Sequence, residues 1–397
     1  MKRRIFPIVE DTYFPAYVVW ELTLECDQRC LHCGSRAASA RENEMSVERA
    51  VELCGELALA GAKEVILIGG EAYLHPGFLD VVRALGEQGI RVGVTTGGRG
   101  VDLALARQMA AAGVEHASVS VDGLRVAHRR IRNNMLSFDR ALGALNALKE
   151  SGIAISANTH VNRLNRHDLE GLYALLRSHG IRSWQIQLTA ALGRAADHPE
   201  MLLQPYELLE VVPLIAALKQ RAYRDGIRIM PGNNLGYFGP EEALLRSVAP
   251  DGQEHWRGCQ AGKYVLGIES DGGIKGCPSL QSETYRSART LRTESLASLW
   301  QDANVAFNRT RGRESLWGFC ASCPFAETCR GGCTFTAHAL FGKPGNNPYC
   351  HYRVRALHKQ GLRERIVPKT MSSGLPFDHR IFDLELEATD VPSLEVG

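Results

Sequence analysis

The residues with the clearest chemical potential are three cysteines close to the start of the chain. Cys26, Cys30 and Cys33 form a CxxxCxxC pattern directly after a short apolar segment. Three thiolates this close together can hold three corners of a cubane iron–sulfur cluster. No fourth cysteine lies nearby, so one iron would be left for a ligand from outside the protein. A zinc site completed by His32 is the alternative for the same spacing.

The composition narrows the classes of protein to consider. The formal net charge is only +2, which gives no reason to expect nucleic acid as a partner. The N-terminal residues contain no apolar signal segment, and we find no apolar run near membrane-spanning length, which predicts a cytoplasmic protein without a membrane partner. In such a reducing compartment the 11 cysteines are expected to be metal ligands rather than disulfides.

Residues 16–200 read as alternating strands and helices. This repetition predicts a parallel sheet with right-handed crossovers, and the stretch is too short for an eight-unit barrel. The predicted fold class is therefore α/β, a partial (β/α)6 TIM-like barrel with its sites at the carboxyl ends of the strands. The six predicted strands cover residues 16–23, 63–68, 91–95, 116–121, 153–161 and 184–188.

A second motif follows the second predicted strand, where Gly69, Gly70 and Glu71 are adjacent. Glycines let the backbone approach a neighbour closely, and a carboxylate suits an ammonium group. CxxxCxxC after strand one and GGE after strand two resemble the radical S-adenosylmethionine (SAM) superfamily. The chain departs from the usual pattern in having Ala72, where these proteins commonly have proline.

This resemblance implies a set of cofactor contacts. The methionine end of SAM would chelate the open iron of a [4Fe–4S] cluster, with its amino group received by Gly69, Gly70 and Glu71. His32 stands where an aromatic side chain commonly stacks on adenine. The remaining expected contacts lie at the ends of strands four, five and six, and they are Ser120, Asp122, Asn162 and Leu188. No catalytic residue beyond the cluster is assigned.

The other cysteine group lies far along the chain. Cys259 precedes a Gx4C unit ending at Cys277, and a Cx2Cx5Cx3C run with one further cysteine follows. This spacing resembles the SPASM extension of radical SAM enzymes; a zinc ribbon at Cys320 and Cys323 is the alternative. The resemblance implies two auxiliary [4Fe–4S] clusters, three clusters in all. Auxiliary cluster I would be held by Cys259, Cys277 and Cys333, and auxiliary cluster II by Cys320, Cys323, Cys329 and Cys350.

Auxiliary cluster I has only three expected thiolates, because no cysteine lies between Cys259 and Cys277. This predicts either an open iron or an oxygen or nitrogen ligand. Cys54, on the apolar face of a predicted helix, is expected to be a core residue. The predicted organisation is an N-terminal extension (1–15), the radical SAM partial barrel (16–230), a bridge (231–258), the SPASM domain (259–360) and a C-terminal tail (361–397).

The resemblance implies that a 5′-deoxyadenosyl radical abstracts hydrogen from a substrate. SPASM relatives mostly modify ribosomally made peptides, so a precursor peptide is the expected substrate; aminoglycoside or tetrapyrrole oxidation, and a non-catalytic electron carrier, are the alternatives. Only about fifteen residues precede strand one, so a peptide-recognition domain is expected as a separate protein. Flavodoxin or ferredoxin is the expected reductant. Candidate substrate contacts are Tyr73, His75, Asn233, Asn234, Tyr237, Asn346 and Asn347.

Overall fold

The computed structural model describes residues 12–389 and is built on one nine-stranded sheet. The strand order is β7-β6-β5-β4-β3-β2-β1-β8-β9, and every neighbouring pair is parallel except β8 with β9. The strands are β1 (Tyr17–Thr23), β2 (Glu64–Gly69), β3 (Arg91–Thr96), β4 (His116–Ser120), β5 (Ala154–Val161), β6 (Ser183–Leu188), β7 (Arg228–Pro231), β8 (Val265–Ile268) and β9 (Ile274–Lys275).

The first six strands confirm the predicted α/β class and the partial barrel. Helices cover the strands of a parallel sheet, and such buried strands favour apolar residues. Trp20 on β1 and Trp184 on β6 are both fully buried. The connecting helices are α1 (Val47–Leu59), α2 (Phe78–Glu87), α3 (Leu103–Ala112), α4 (Arg125–Arg132), α5 (Ser137–Glu150) and α6 (Leu169–Ser178).

Helix α4 is the element of the barrel that the sequence analysis missed. Its sequence, RVAHRRIR, is short and rich in arginine. The buried face consists of Ala127, His128, Ile131 and Arg132, so two of its four inward residues are polar. Hydrophobic periodicity cannot reveal a helix whose inner face is half polar.

The sheet is also wider than predicted. β7 adds to β6 at one edge, and β8 adds to β1 at the other, so the cysteine-rich region continues the barrel sheet. These strands have only four residues each, too few for a pattern that the sequence could show. Their places are set by pairing with a neighbour.

The remaining helices are mostly single turns, except α8, which packs on the barrel, and α14 and α15 in the cysteine-rich region. They are α7 (Arg194–Asp197), α8 (Leu208–Arg224), α9 (Glu242–Arg246), α10 (Ser282–Tyr285), α11 (Leu296–Leu299), α12 (Ala303–Ala306), α13 (Ala326–Cys329), α14 (Thr334–Phe341) and α15 (His351–His358).

The predicted C-terminal tail contains an antiparallel pair of strands, β10 (Leu362–Pro368) and β11 (Phe382–Ala388). The Gln204 side chain holds this pair to the barrel, accepting from Ile366 N at 2.8 Å and donating to Ile366 O at 3.2 Å. Burial along both strands is irregular, so tertiary contacts decide the pairing.

One helical stretch, Pro199–Arg224, is long and apolar enough to cross a membrane by length and composition, contrary to our expectation from the sequence. Its most apolar window is 61% buried inside the protein. Burial of this kind is what a core helix of the fold shows, and the stretch is weak evidence for a membrane span.

The contact between α15 and β10 gives a test of the C-terminal strand pair. Arg353 is buried and binds both carboxylate oxygens of Glu364, at 2.7 and 2.6 Å. Glu364→Ala should lower the free energy of unfolding by about 3–5 kcal/mol, because it leaves a buried guanidinium uncompensated. The measurement is the thermal midpoint of the full chain.

Asp383→Ala is the matched control, because it breaks an exposed ion pair with Lys369 at 2.9 Å on the same pair of strands. An exposed pair contributes about 0–1 kcal/mol. Equal shifts in the two variants would contradict a docked strand pair.

Candidate active site and cysteine groups

The first three cysteines lie on the loop that follows β1, which we call the cluster loop (residues 24–36). Each of the three sulfurs has a polar neighbour: Gln28 N donates to Cys26 at 3.4 Å, Arg132 Nη1 donates to Cys30 at 3.6 Å, and Ser35 Oγ lies 3.5 Å from Cys33. Burial raises the pKa of Cys26 to about 12, so its thiolate needs a nearby cation. Polar hydrogens directed at sulfur are typical of iron–sulfur ligation, and the donor set fits a cluster.

The cluster loop packs on the end of β2 through two glycines. A Cβ on Gly69 would lie 2.2 Å from Thr23 O, and a Cβ on Gly70 would lie 2.0 Å from Glu25 O and 2.7 Å from Cys26 Cβ. Because no Cβ is present, the two backbones come close enough for Gly70 N to donate to Thr23 O and Glu71 N to donate to Glu25 O, both at 2.8 Å. Only glycine permits this approach, which fixes the loop beside the first cysteine.

The Glu71 carboxylate is buried and already has partners. It accepts from Thr96 Oγ1 at 2.5 Å and from Gly97 N at 2.7 Å, which ties it to the end of β3. Burial raises its pKa to about 7. Beside it, both amide atoms of the buried Gln28 have no partner among residues 12–389. Gln28 was not predicted, and it offers an unsatisfied donor and acceptor for a polar ligand.

Asp122, at the end of β4, is the centre of a buried ion pair. Its carboxylate lies 2.6 Å from Arg132 Nη2 and 3.3 Å from His32 Nε2, and it accepts from His160 N at 2.8 Å. Burial alone would raise the pKa of Asp122, but the charge of Arg132 holds it well below its usual range. Arg132 therefore links Asp122 to the sulfur of Cys30. This link was not predicted, because α4 itself was not predicted.

The other expected SAM contacts lie on the same rim. His32 meets His160 edge to face, with ring centroids 5.1 Å apart. Asn162 is fully buried, and its side chain is hydrogen-bonded within the fold. It donates to Thr189 Oγ1 at 3.2 Å and accepts from Leu164 N at 2.9 Å. Ser120 and Leu188 are buried at the ends of β4 and β6. The structure thus brings the predicted residues to one edge of the sheet.

The segment before β11 contacts the cluster loop directly. Phe377 N donates to Gly34 O at 3.0 Å, and Arg36 pairs with Asp378 at 2.9 Å and with Asp197 at 2.6 Å. None of these contacts was predicted. The C-terminal segment therefore contributes to the position of Cys33.

The late cysteines form two separate groups. A pocket is bordered by Cys320, Cys323, Cys329 and Cys350. Aromatic rings surround it, including Phe238 and Phe325, which stack with centroids 4.3 Å apart. Four thiols on one apolar pocket fit a closed cluster site.

Cys333 belongs to the other group, although only three residues separate it from Cys329. Its sulfur lies in the same buried region as the sulfurs of Cys259 and Cys277. Negative charges on these three thiolates would repel one another. Burial raises the pKa of Cys277 to about 12 and that of Cys333 to about 11. The remaining cysteine, Cys54, is buried on α1 with its sulfur 3.4 Å from Ala50 O, as expected of a core residue.

Within residues 12–389, no three histidine, cysteine or acidic side chains converge as ligands of one metal ion. Among the candidate substrate contacts, several serve the fold instead: Asn234 bonds the backbone of Leu188 at 3.1 and 2.8 Å, and Tyr73 donates to Asp27 at 3.0 Å. His75 accepts from Gly77 N at 3.1 Å.

Tyr237, Asn346 and Asn347 also have internal partners, whereas Nδ2 of Asn347 is buried and has none among residues 12–389. The Tyr237 hydroxyl accepts from Cys333 N at 3.1 Å, and the carbonyl of Asn233 accepts from that hydroxyl. Asn346 accepts from Arg353 at 2.5 Å, and Asn347 accepts from Tyr349 N at 3.0 Å.

Comparison with known proteins agrees with this site. Residues 20–176 match the model of the radical SAM superfamily, a range that includes the cluster loop, the two glycines and Asp122. These residues form a radical SAM domain. Membership of these residues in that superfamily implies one [4Fe–4S] cluster and SAM.

Similarity to known proteins extends through the cysteine-rich region. This chain is 27% identical over 354 residues to the AdoMet-dependent heme synthase of Methanosarcina barkeri, and the match covers 86% of this chain and 98% of that protein. It is 26% identical over 387 residues to the mycofactocin maturase MftC of Mycobacterium tuberculosis, covering 91% and 93%. The structure of anSMEcpe with bound AdoMet and Kp18Cys peptide shares the fold, with a TM-score of 0.67, 14% identity and coverage of 84% and 93%.

The glycine contact predicts that Gly70→Ala displaces the cluster loop of the radical SAM domain. The new Cβ would overlap Glu25 O, and overpacking of this kind costs about 1–3 kcal/mol. We expect a lower thermal midpoint and less iron retained per chain after anaerobic reconstitution. Gly86→Ala on α2 is the control, since a Cβ there meets nothing within 4 Å. If both variants retain the same iron and stability, the close approach does not position the loop.

Proposed function

We propose that this enzyme binds a [4Fe–4S] cluster at Cys26, Cys30 and Cys33 and cleaves SAM on it to start a radical reaction. The observation that carries the proposal is the set of three sulfurs on one loop, each with a polar neighbour. When bound, the reduced cluster and SAM supply a 5′-deoxyadenosyl radical, which abstracts hydrogen from the substrate. The chain's own residues bind, orient and desolvate the reactants.

The rim residues divide these tasks. We assign Gly69 and Gly70 to the backbone surface that receives the methionine end of SAM, and Glu71 to holding that surface against the end of β3. Gln28, whose amide lacks an internal partner, is added to the expected contacts. Asp122, His32 and Ser120 would face the nucleoside, with Asn162 and Leu188 supporting the rim. The negative charge of Asp122 is balanced by Arg132, so it can accept hydrogen bonds without an unpaired buried charge.

We propose two auxiliary clusters in the cysteine-rich region. The pocket bordered by Cys320, Cys323, Cys329 and Cys350 supports auxiliary cluster II. The shared environment of Cys259, Cys277 and Cys333 supports auxiliary cluster I. The fourth position of cluster I stays a prediction, either an open iron or a ligand other than cysteine.

The proposed substrate is a ribosomally made peptide. MftC, a maturase, and anSMEcpe, whose structure contains a peptide, are similar to this chain over most of their length. A separate recognition protein, a flavodoxin or ferredoxin reductant and a cytoplasmic location complete the proposal. The heme synthases, of which two are 27% and 24% identical to this chain, favour a tetrapyrrole as the second candidate.

The core of the proposal predicts that reduced, reconstituted protein releases 5′-deoxyadenosine from SAM. Cys30→Ala should abolish this release, measured by liquid chromatography, because it removes a ligand of the first cluster. Cys54→Ala is the control: it removes a buried thiol outside every cysteine group, and its release should match the unmodified protein. Absence of release from the unmodified reduced protein would favour the electron-carrier alternative.

The substrate proposal predicts which compound stimulates the reaction. Release of 5′-deoxyadenosine should rise when a precursor peptide encoded beside this gene is added, and the peptide mass should change. An iron-bound tetrapyrrole should do neither. The opposite pattern would select the second candidate, while leaving SAM cleavage itself intact.

A further inference from the structure

A surface next to the cluster loop combines exposed apolar side chains with arginines. The segment Leu124–Leu136, which contains α4, exposes Val126 (82%), Met135 (69%) and Leu136 (59%). Four of the eight large apolar side chains that are exposed among residues 12–389 lie in this segment. We call its outer side the α4 face. Apolar side chains clustered on a surface mark sites of interaction with other molecules.

The inner side of the same helix touches the cluster loop. Ile131 O accepts from Leu31 N at 2.8 Å, and Arg132 Nη1 donates to Cys30 Sγ at 3.6 Å. An α-helix with its side chains is about 10–12 Å across. The α4 face is therefore separated from the first cysteine group by the thickness of one helix.

The charge of the α4 face is positive. Arg125 and Arg129 share one acidic partner, Asp139, at 2.6 and 2.8 Å. Arg130 is exposed and has no ion pair within the part of the chain that the structure describes. Two arginine charges therefore remain after Asp139 is counted, on a protein whose formal net charge is only +2. A surface of this sign attracts an acidic partner and speeds its association.

We propose that the α4 face is the docking site of the electron donor, an acidic one-electron carrier protein of low potential. The inference rests on the proposed function, because it supposes that the first cluster must be reduced. One electron leaves the reduced carrier and enters the cluster, and no bond or proton is transferred. The apolar residues supply contact area, and the arginines select for acidic surface. Docking on this side leaves the rim of the sheet free for SAM and substrate.

The test compares two reductants and adds a binding measurement. The variants are Arg130→Glu and Val126→Glu, made in the full reconstituted chain, with recombinant flavodoxin as the probe. Both variants should weaken flavodoxin binding at least tenfold, measured by calorimetry without SAM. Release of 5′-deoxyadenosine driven by reduced flavodoxin should fall by a similar factor at low flavodoxin concentration. Release driven by dithionite, which needs no docking, should stay within twofold.

Arg224→Glu is the matched control, because it reverses one exposed charge at the end of α8, away from the α4 face. Its flavodoxin affinity should stay within twofold of the unmodified protein, and the affinity of the unmodified protein should weaken as salt rises. Unchanged flavodoxin binding in both α4 variants would overturn the proposal, and so would an equal loss with both reductants. A changed substrate KM under dithionite would show that this face binds substrate instead. If dithionite gives no release even in the unmodified protein, the proposed function fails rather than the docking site.

Discussion

The site depends on an approach between two backbone segments that leaves no room for a side chain. At the end of β2, the backbone N–H groups of Gly70 and Glu71 donate to the carbonyls of Thr23 and Glu25. A Cβ on Gly69 or Gly70 would collide with one of those two oxygens. The loop that carries Cys26 is thereby fixed to the end of β2.

A second constraint is electrostatic. Asp122 and Arg132 are both buried, and neither would be stable there without the other. Their pairing places the Arg132 guanidinium beside the sulfur of Cys30. A cationic hydrogen-bond donor beside the sulfur favours the thiolate over the neutral thiol.

Much of this was readable from the sequence, and the reasons are specific. The six strands were predicted from apolar runs such as β2. The cysteine groups were predicted from spacings that resemble known family motifs. The role of Arg132 could not be predicted, because it lies on the inner side of a helix whose buried face is half polar. Gln28 is a single polar residue in a loop, without a pattern of its own. β7 and β8 depend on pairing with distant strands, and short local sequence does not specify such pairing.

The contact between Phe377 and Gly34, together with the pair Arg36–Asp378, joins two stretches of chain that are made far apart in time. During synthesis the first cysteines leave the ribosome long before the C-terminal segment does, and domains generally fold as their residues emerge. The barrel can therefore form while the cluster loop still lacks its last supports. In this protein the cluster loop therefore gains its last contacts only when the end of the chain has folded back onto it.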